Sequence, residues 1–110
     1  YGGGAQGVGQ ALMEDINFDA ESGQLLSGSF MDYAMPRADD FCNIKVEANP
    51  VPTDVNPLGV KGAGEAGCVG ALPAVLSAVT HALSVYGINY IEMPATPQKV
   101  WKAIQEANAA

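Results

Sequence analysis

A run of apolar residues at helical spacing, placed directly after a glycine-rich stretch, constrains the fold most strongly. Six side chains form one stripe on a helix of about four turns: Leu72, Val75, Leu76, Val79, Leu83 and Tyr86. We expect Pro73 in the first turn of this helix and Gly87 at its C-terminal cap. Glu65 lies within the glycine-rich stretch that precedes it. Because glycine lets the backbone approach a bound group closely, this stretch predicts a ligand near the start of the helix.

The N-terminal half of the chain predicts one helix, one hairpin and one further strand. Helical spacing of apolar residues indicates a short helix over about residues 6–15. A polar turn over residues 19–23, between β-prone residues 16–18 and 24–30, is typical of a hairpin. Strict alternation of apolar and polar residues over 44–49 predicts a third strand with one buried face.

Three prolines then break regular structure, and the C-terminal part returns to a strand and a helix. Pro50, Pro52 and Pro57 predict an extended loop leading to Lys61. Residues 88–93 are expected to form a strand, and Thr96 and Pro97 to open a last helix as cap and first-turn proline. Residues 108–110 are expected to fray. Helical spacing predicts the inner side of this last helix, which consists of Val100, Trp101, Ile104 and Ala107.

The predicted order is therefore helix, hairpin, strand, loop, helix, strand and helix, a mixed α+β class without an internal linker. Hydrophobic residues make up 48% of the chain and charged residues only 15%, which is poor in charge for a free-standing domain. We therefore expect residues 1–110 to be one portion of a larger domain. The two cysteines, Cys42 and Cys68, are expected to be thiols rather than a disulfide or a metal pair.

Charge and hydropathy set the expected surroundings of the chain. The net charge is −7 and the five basic residues are scattered, so nucleic acid is not an expected partner. No apolar run is expected to approach the roughly 20 residues of a membrane helix. We therefore expect a cytoplasmic protein without a membrane span. A lone histidine, His81, is not expected to bind a metal.

Both glycine-rich stretches match the spacing GxGxxG, which raises the alternative of a nucleotide-binding module. The first match begins at Gly2 and the second at Gly62. This fingerprint normally follows a hydrophobic strand, whereas Gly62 follows a proline-broken loop. Glu65 would also repel a pyrophosphate among amides that favour negative ligands. A nucleotide-binding module using residues 62–67, and a non-catalytic assembly domain, remain the alternatives.

Several ordered blocks resemble a known family of enzymes over essentially the whole chain. The blocks are GGAQGVGQAL at 3–12, GSFMDYAMPRAD at 28–39, NPLGVKGAGEAG at 56–67, GALPAV at 70–75 and MPATPQKVWKAI at 93–104. They are similar to the C-terminal part of the molybdenum-binding large subunit of the xanthine dehydrogenase/aldehyde oxidase family, in its aerobic carbon monoxide dehydrogenase-like branch. The resemblance implies that residues 1–110 are the C-terminal portion of a molybdopterin-binding catalytic domain.

The resemblance also assigns roles to particular residues. Glu65 matches the glutamate that acts as general base on the oxygen that attacks the substrate. Lys61, Gly62, Ala63 and Gly64 match the loop that lies against the molybdopterin, and Gln6 matches a glutamine that hydrogen-bonds it. Taken alone, Glu65 would be interpreted as a carboxylate favoured by a helix start, Gln6 as a polar residue that satisfies backbone groups, and Lys61 as a solvated loop lysine. A glycine-lined pocket that excludes water would increase the proton affinity of such a base.

The family further implies the reaction and the partners. The expected activity is oxidation of a small carbon substrate, namely carbon monoxide, an aldehyde, an aromatic compound or an N-heterocycle, with water as the oxygen source. Molybdenum on molybdopterin, expected in its cytosine dinucleotide form, would take two electrons and pass them to iron-sulfur clusters and FAD in partner subunits. The remainder of the large subunit is the other expected partner. Neither Cys42 nor Cys68 matches the cysteine that carries copper in carbon monoxide dehydrogenases.

Overall fold

The computed structural model describes residues 1–109, and three α-helices dominate their regular structure. Helix α1 spans Gly2–Leu12, α2 spans Ala66–Leu83 and α3 spans Pro97–Ala109. Short 3-10 turns cover Ala38–Asp40 and Ser84–Tyr86. Over the described range there is no regular strand, so the α+β class is not confirmed for this part of the chain. The expected fraying of residues 108–110 is not seen at 108 and 109, and residue 110 lies outside the described residues.

The predicted hairpin is present as a turn but not as a pair of strands. A single antiparallel bridge joins Phe18 to Leu25, and the amide of Asp19 donates to the carbonyl of Gln24 at 2.8 Å. Gly23 has φ +70°, a left-handed conformation that glycine adopts without strain. The turn chemistry was therefore predicted correctly, while the lengths of the two strands were wrong.

The strands predicted over residues 44–49 and 88–93 are absent from this structure. Ile44 and Val46 remain exposed to solvent, although the alternating pattern predicted a buried face. A strand needs a neighbouring strand for its backbone donors and acceptors, and alternation in one segment does not supply that neighbour. Residues 44–49 are instead irregular chain without a strand beside them among residues 1–109.

Helices α1 and α2 pack closely through glycine. A Cβ added at Gly3 would lie 3.1 Å from Cα of Gly67, and one added at Gly7 would lie 2.6 Å from Cβ of Ala71. Gly3 and Gly7, four residues apart on α1, thus contact Gly67 and Ala71, which are four residues apart on α2. The two helices run in the same direction, and their N-terminal ends lie at the same end of the pair.

The boundaries of α2 differ from the prediction at its start. The helix begins at Ala66, so Pro73 lies inside it rather than in its first turn. Gly67 and Gly70 disfavour helix in isolation, but packing against α1 overrides this propensity. At the other end, Gly87 has φ +76° and caps the 3-10 turn that extends α2, as predicted.

The apolar length of α2 also exceeds the expectation. The continuous segment Ala66–Tyr86, 21 residues, is long and apolar enough to cross a bilayer by length and composition. The expectation that no apolar stretch approaches about 20 residues was therefore wrong. Core helices of soluble proteins meet the same two criteria, so this property is weak evidence for a membrane span.

A small hydrophobic cluster joins the C-terminal ends of the elements. Leu83, Ile91 and Ala95 are buried at its centre. Partly buried residues pack around them: Leu12, Leu76, Val79, Ile88, Val100 and Ile104. Trp101 is 65% exposed and Tyr86 is 45% exposed, so the prediction that both belong to the core was wrong for this chain. Helical spacing identifies a face, but it does not show whether residues 1–109 cover that face.

The described chain leaves an unusually large surface uncovered. Its accessible surface is 8511 Å², whereas about 5,700 Å² is typical of a compact chain of this mass. The radius of gyration is 18.0 Å, compared with about 13 Å for a compact domain of this length. Apolar side chains such as Val85 and Tyr90 stand exposed on this surface. The segment therefore does not form a closed hydrophobic core by itself.

Candidate functional site

The loop that leads to the predicted site is held in shape by the side chain of Asn56. Its Oδ1 accepts hydrogen bonds from the amides of Leu58 at 3.1 Å and Val60 at 3.2 Å. Its Nδ2 donates to the carbonyl of Val60 at 2.9 Å. Gly59 has φ +65°, which lets the chain reverse inside this ring of hydrogen bonds. The turn therefore fixes the direction in which the chain enters residues 61–65.

Glu65 lies at the N-cap of α2. The amide of Val69 donates to the carbonyl of Glu65 at 3.0 Å, which closes the first turn of the helix. The carboxylate makes no capping hydrogen bond to that turn, and the residue is exposed. A negative charge at a helix start is favoured by the helix dipole. The carboxylate therefore lies at an electrostatically favourable place without using its oxygens to cap the helix.

Glu65 borders an open concavity of about 600 Å³ that four of the six predicted site residues line. Gly62, Ala63, Gly64 and Glu65 all contribute to its wall. Lys61 and Gln6 are exposed and do not belong to this lining. Gln6 lies on α1 next to Gly7, which packs against residues 68, 71 and 72 of α2. The structure thus brings the loop and the glutamate together and leaves Gln6 on the neighbouring helix.

The residues around the concavity fit a bulky polar cofactor. Gly62 and Gly64 have open space where a Cβ would stand, so a flat ligand can approach the backbone there. The first amides of α2 have no partner within the helix and point toward the same end as those of α1. Such amides suit oxygen or phosphate groups that carry negative charge. Glu65 supplies a carboxylate beside them rather than another anion-binding donor.

The expected exclusion of water from Glu65 is not provided by residues 1–109. The wall beside the glutamate consists of small residues, and the concavity opens to solvent. Any desolvation of the carboxylate therefore depends on groups other than those of this segment. The expectation of a pocket that excludes water concerns the complete active site and stays a prediction.

The nucleotide-binding alternative finds no support in the geometry. Gly2, Gly4 and Gly7 lie inside α1 rather than in a turn between a strand and a helix. Gly62 follows the turn organised by Asn56, and no strand precedes it in the described chain. A dinucleotide fingerprint depends on that strand to place its glycines under the pyrophosphate. The two spacing matches are therefore coincidental with respect to that fold.

The structure also adds residues that the sequence interpretation missed. Ala66 and Val69 line the concavity beside Glu65. Val69 is four positions further along α2 and so shares the face of Glu65, and Ala66 is the first residue of the helix. The thiol of Cys68 donates to Oε1 of Gln10 across the helix pair at 3.9 Å. The spacing of small residues four apart, in both α1 and α2, was the signal in the sequence that predicts such a close contact.

A second long-range contact fixes the segment after α1. The hydroxyl of Tyr33 donates to Oε2 of Glu14 at 2.8 Å. This hydrogen bond to Glu14 raises the pKa of Tyr33 above its ordinary value, with burial acting in the same direction. The contact attaches residues 29–36 to the C-terminal end of α1, away from the concavity at Glu65.

Comparison with known proteins first defines the class. Residues 1–42 match the family described as molybdopterin cofactor-binding domain. The solved quinoline 2-oxidoreductase from Pseudomonas putida 86 shares the fold of the chain with a TM-score of 0.87 at 38% identity, over 96% of this chain and 13% of that protein. The fold is therefore that of a segment of a molybdopterin-binding enzyme.

Two curated relatives specify the family further. The carbon monoxide dehydrogenase large chain of Hydrogenophaga pseudoflava is 34% identical over 110 residues, which is 100% of this chain and 14% of the relative. The nicotine 6-hydroxylase large subunit of Paenarthrobacter nicotinovorans is 41% identical over 93% of this chain and 12% of the relative. These matches confirm the resemblance to the molybdenum-binding large subunits of the xanthine dehydrogenase/aldehyde oxidase family. The relatives are molybdenum-dependent oxidoreductases, and the chain spans about one seventh or less of their length.

Proposed function

We propose that this chain contributes the general base and one cofactor-facing loop to the active site of a molybdenum hydroxylase. The observation that carries the proposal is the placement of Glu65 at the start of α2, where it lines one open concavity together with Gly62, Ala63 and Gly64. Three of the relatives are named for carbon monoxide, nicotine and quinoline as the compounds on which they act. The proposed substrate class is therefore a small carbon compound or an N-heterocycle.

When bound, the molybdenum cofactor supplies the two-electron acceptor and the metal charge. Glu65 accepts a proton at its carboxylate from the water that provides oxygen to the substrate. Gly62 and Gly64 present bare backbone to the cofactor, and Ala63 adds no bulk between them. Lys61 and Gln6 are proposed to contact the cofactor from the edge of the concavity, outside its lining.

The proposed assembly follows from the uncovered surface. Exposed apolar residues and an accessible surface well above that of a compact chain indicate that other polypeptide covers this segment. The remainder of a large subunit is the proposed cover. Iron-sulfur and FAD subunits are the proposed electron acceptors, and the cytosine dinucleotide is the proposed form of the pterin, as the family resemblance implies. The names "large chain" and "large subunit" of two relatives support an assembly of several subunits.

Replacement of Glu65 by glutamine in the complete enzyme tests the proposal. Glutamine keeps the shape of the side chain but cannot take a proton, so turnover should fall by roughly 10²- to 10⁴-fold. Molybdenum content should stay near one per large subunit, because Glu65 is not proposed as a metal ligand. The control is Glu92→Gln, at an exposed glutamate outside the concavity. Near-normal turnover of Glu65→Gln would remove Glu65 from the mechanism, and absence of molybdenum from the native enzyme would favour a nucleotide-binding or assembly role.

A further inference from the structure

We propose that Gly7 is a positioning residue for Glu65, because it sets how closely α1 lies against the first turn of α2. The inference rests on the proposed function of Glu65 and extends it to a residue on a different helix. Gly7 is buried in the contact between the two helices. It is not proposed to touch the substrate or the cofactor.

The contact at Gly7 leaves no room for a side chain. A Cβ at this position would lie 2.6 Å from Cβ of Ala71 and 2.8 Å from the carbonyl oxygen of Cys68. Carbon atoms in contact are normally about 3.5–4.0 Å apart, so the helices would have to separate by roughly 1 Å. Neither obstacle can rotate away, since one is a backbone atom and the other is attached directly to the backbone.

The same contact continues toward the site. Gly3 packs on Gly67, where an added Cβ on either residue would lie 3.1 Å from the Cα of the other. The thiol of Cys68 also donates to Oε1 of Gln10 across the pair. Three contacts from α1 thus reach residues 67, 68 and 71, within six positions of Glu65.

Separation of the two helices at Gly7 would therefore move the start of α2 relative to α1. Glu65 is the cap of α2 and is joined to the first turn by the hydrogen bond from the amide of Val69 at 3.0 Å. The loop before Glu65 is held separately by Asn56. A shift of α2 relative to that loop would change the position of the carboxylate within the concavity. Misplacement of a reacting group by about 1 Å reduces turnover by roughly 100-fold.

The test compares Gly7→Ala with two matched changes in the complete enzyme. Gly4→Ala is the control on the same helix, because a Cβ at Gly4 meets nothing within 4 Å in the described chain. Gly7→Ala combined with Ala71→Gly removes the contact between the two β-carbons but leaves the one with the carbonyl of Cys68. The measurements are molybdenum per large subunit, melting temperature, and kcat per bound molybdenum.

We expect Gly7→Ala to lower kcat per molybdenum by about tenfold or more. Gly4→Ala should leave kcat per molybdenum within about twofold of the native value. The addition of Ala71→Gly to Gly7→Ala should restore part of the loss. A packing role alone would lower the melting temperature of Gly7→Ala while kcat per molybdenum stayed at the native value, and that result would overturn the inference. If Gly7→Ala does not assemble, Gly3→Ala gives the milder displacement, and native kcat per molybdenum in that variant would overturn it equally.

Glu65→Gln, measured in parallel, separates the two proposals. If Glu65→Gln is inactive and Gly7→Ala is fully active per molybdenum, only the positioning role fails. If Glu65→Gln keeps native turnover, the proposed function fails and the positioning role fails with it.

Discussion

Asn56 offers the sharpest test of how the loop before Glu65 is held. Asn56→Ala removes all three side-chain hydrogen bonds of the turn, two accepted from the amides of Leu58 and Val60 and one donated to the carbonyl of Val60. A hydrogen bond of this kind contributes about 0.5–1.5 kcal/mol. Because the turn is largely exposed and water replaces part of each bond, we expect a local loss of about 1–2 kcal/mol. That loss corresponds to a roughly 5- to 30-fold larger population of the opened turn.

Hydrogen exchange at the amides of Leu58 and Val60 measures this opening directly, because those two amides are the donors to Asn56. Asn56→Asp should give a smaller effect of about 1 kcal/mol, since a carboxylate still accepts both bonds but cannot donate to the carbonyl of Val60. Asn49→Ala, at an exposed position in the same extended segment, is the control. Unchanged exchange in Asn56→Ala would refute the interpretation of Asn56 as the organiser of the turn.

Two further predictions concern the ends of α1 and α2. Tyr33→Phe removes the hydroxyl that donates to Glu14. That hydrogen bond raises the pKa of Tyr33 above 10.0. The stabilising effect of the hydrogen bond is therefore complete below pH 10 and is lost as pH rises through the raised pKa. The difference in melting temperature between native enzyme and Tyr33→Phe should therefore shrink above pH 10, and a difference independent of pH would contradict this account. Gly87→Ala should destabilise by about 1–2 kcal/mol in denaturant unfolding, because the cost comes from a left-handed φ of +76° and not from a clash. A neutral effect would show that the cap at Gly87 tolerates a side chain.

Local signals in the sequence predicted the start of α3 and the glycine cap that follows α2. They were wrong for α1, which was predicted over about residues 6–15 and spans Gly2–Leu12. Thr96 accepts from the amide of Lys99 at 3.4 Å at the start of α3, and Pro97 is the first residue of that helix. Gly87 takes the left-handed conformation expected of a C-terminal cap. In each case the physical cause lies within four residues of the signal, so the sequence window contained it.

Features that depend on distant partners were predicted poorly. Residues 44–49 carry a strand pattern but have no neighbouring strand in the described chain. The start of α2 was placed too late because Gly67 and Gly70 lower helix propensity locally, whereas the packing of Gly67 on Gly3 stabilises the helix from 64 residues away. Trp101 was assigned to the core by spacing, but its face is not covered by residues 1–109.

The candidate site was likewise predictable where its cause is local in sequence, and not where it depends on a distant contact. Its location was predictable, because glycines before an apolar helix mark a place where backbone is open to a ligand, and the structure does gather Gly62, Ala63, Gly64 and Glu65 around one concavity. The role of Glu65 as a base came from the resemblance and stays a prediction. The role of Gly7 was missed because small residues spaced four apart indicate that a helix can pack closely, but they do not identify the partner, which here lies 61 to 64 positions away at Cys68 and Ala71.

In the proposed active site, this segment and the rest of the large subunit have different roles, because Glu65 is exposed in the segment itself. The segment fixes the carboxylate with backbone contacts, namely the packing of α1 on α2 and the turn at Asn56. It does not enclose the carboxylate, since the lining beside it consists of small residues and opens to solvent. A general base gains proton affinity when water is excluded around it. In the proposed assembly, the polypeptide that covers the apolar surface of this segment would therefore also exclude water from Glu65, while α1 and α2 determine the position of Glu65.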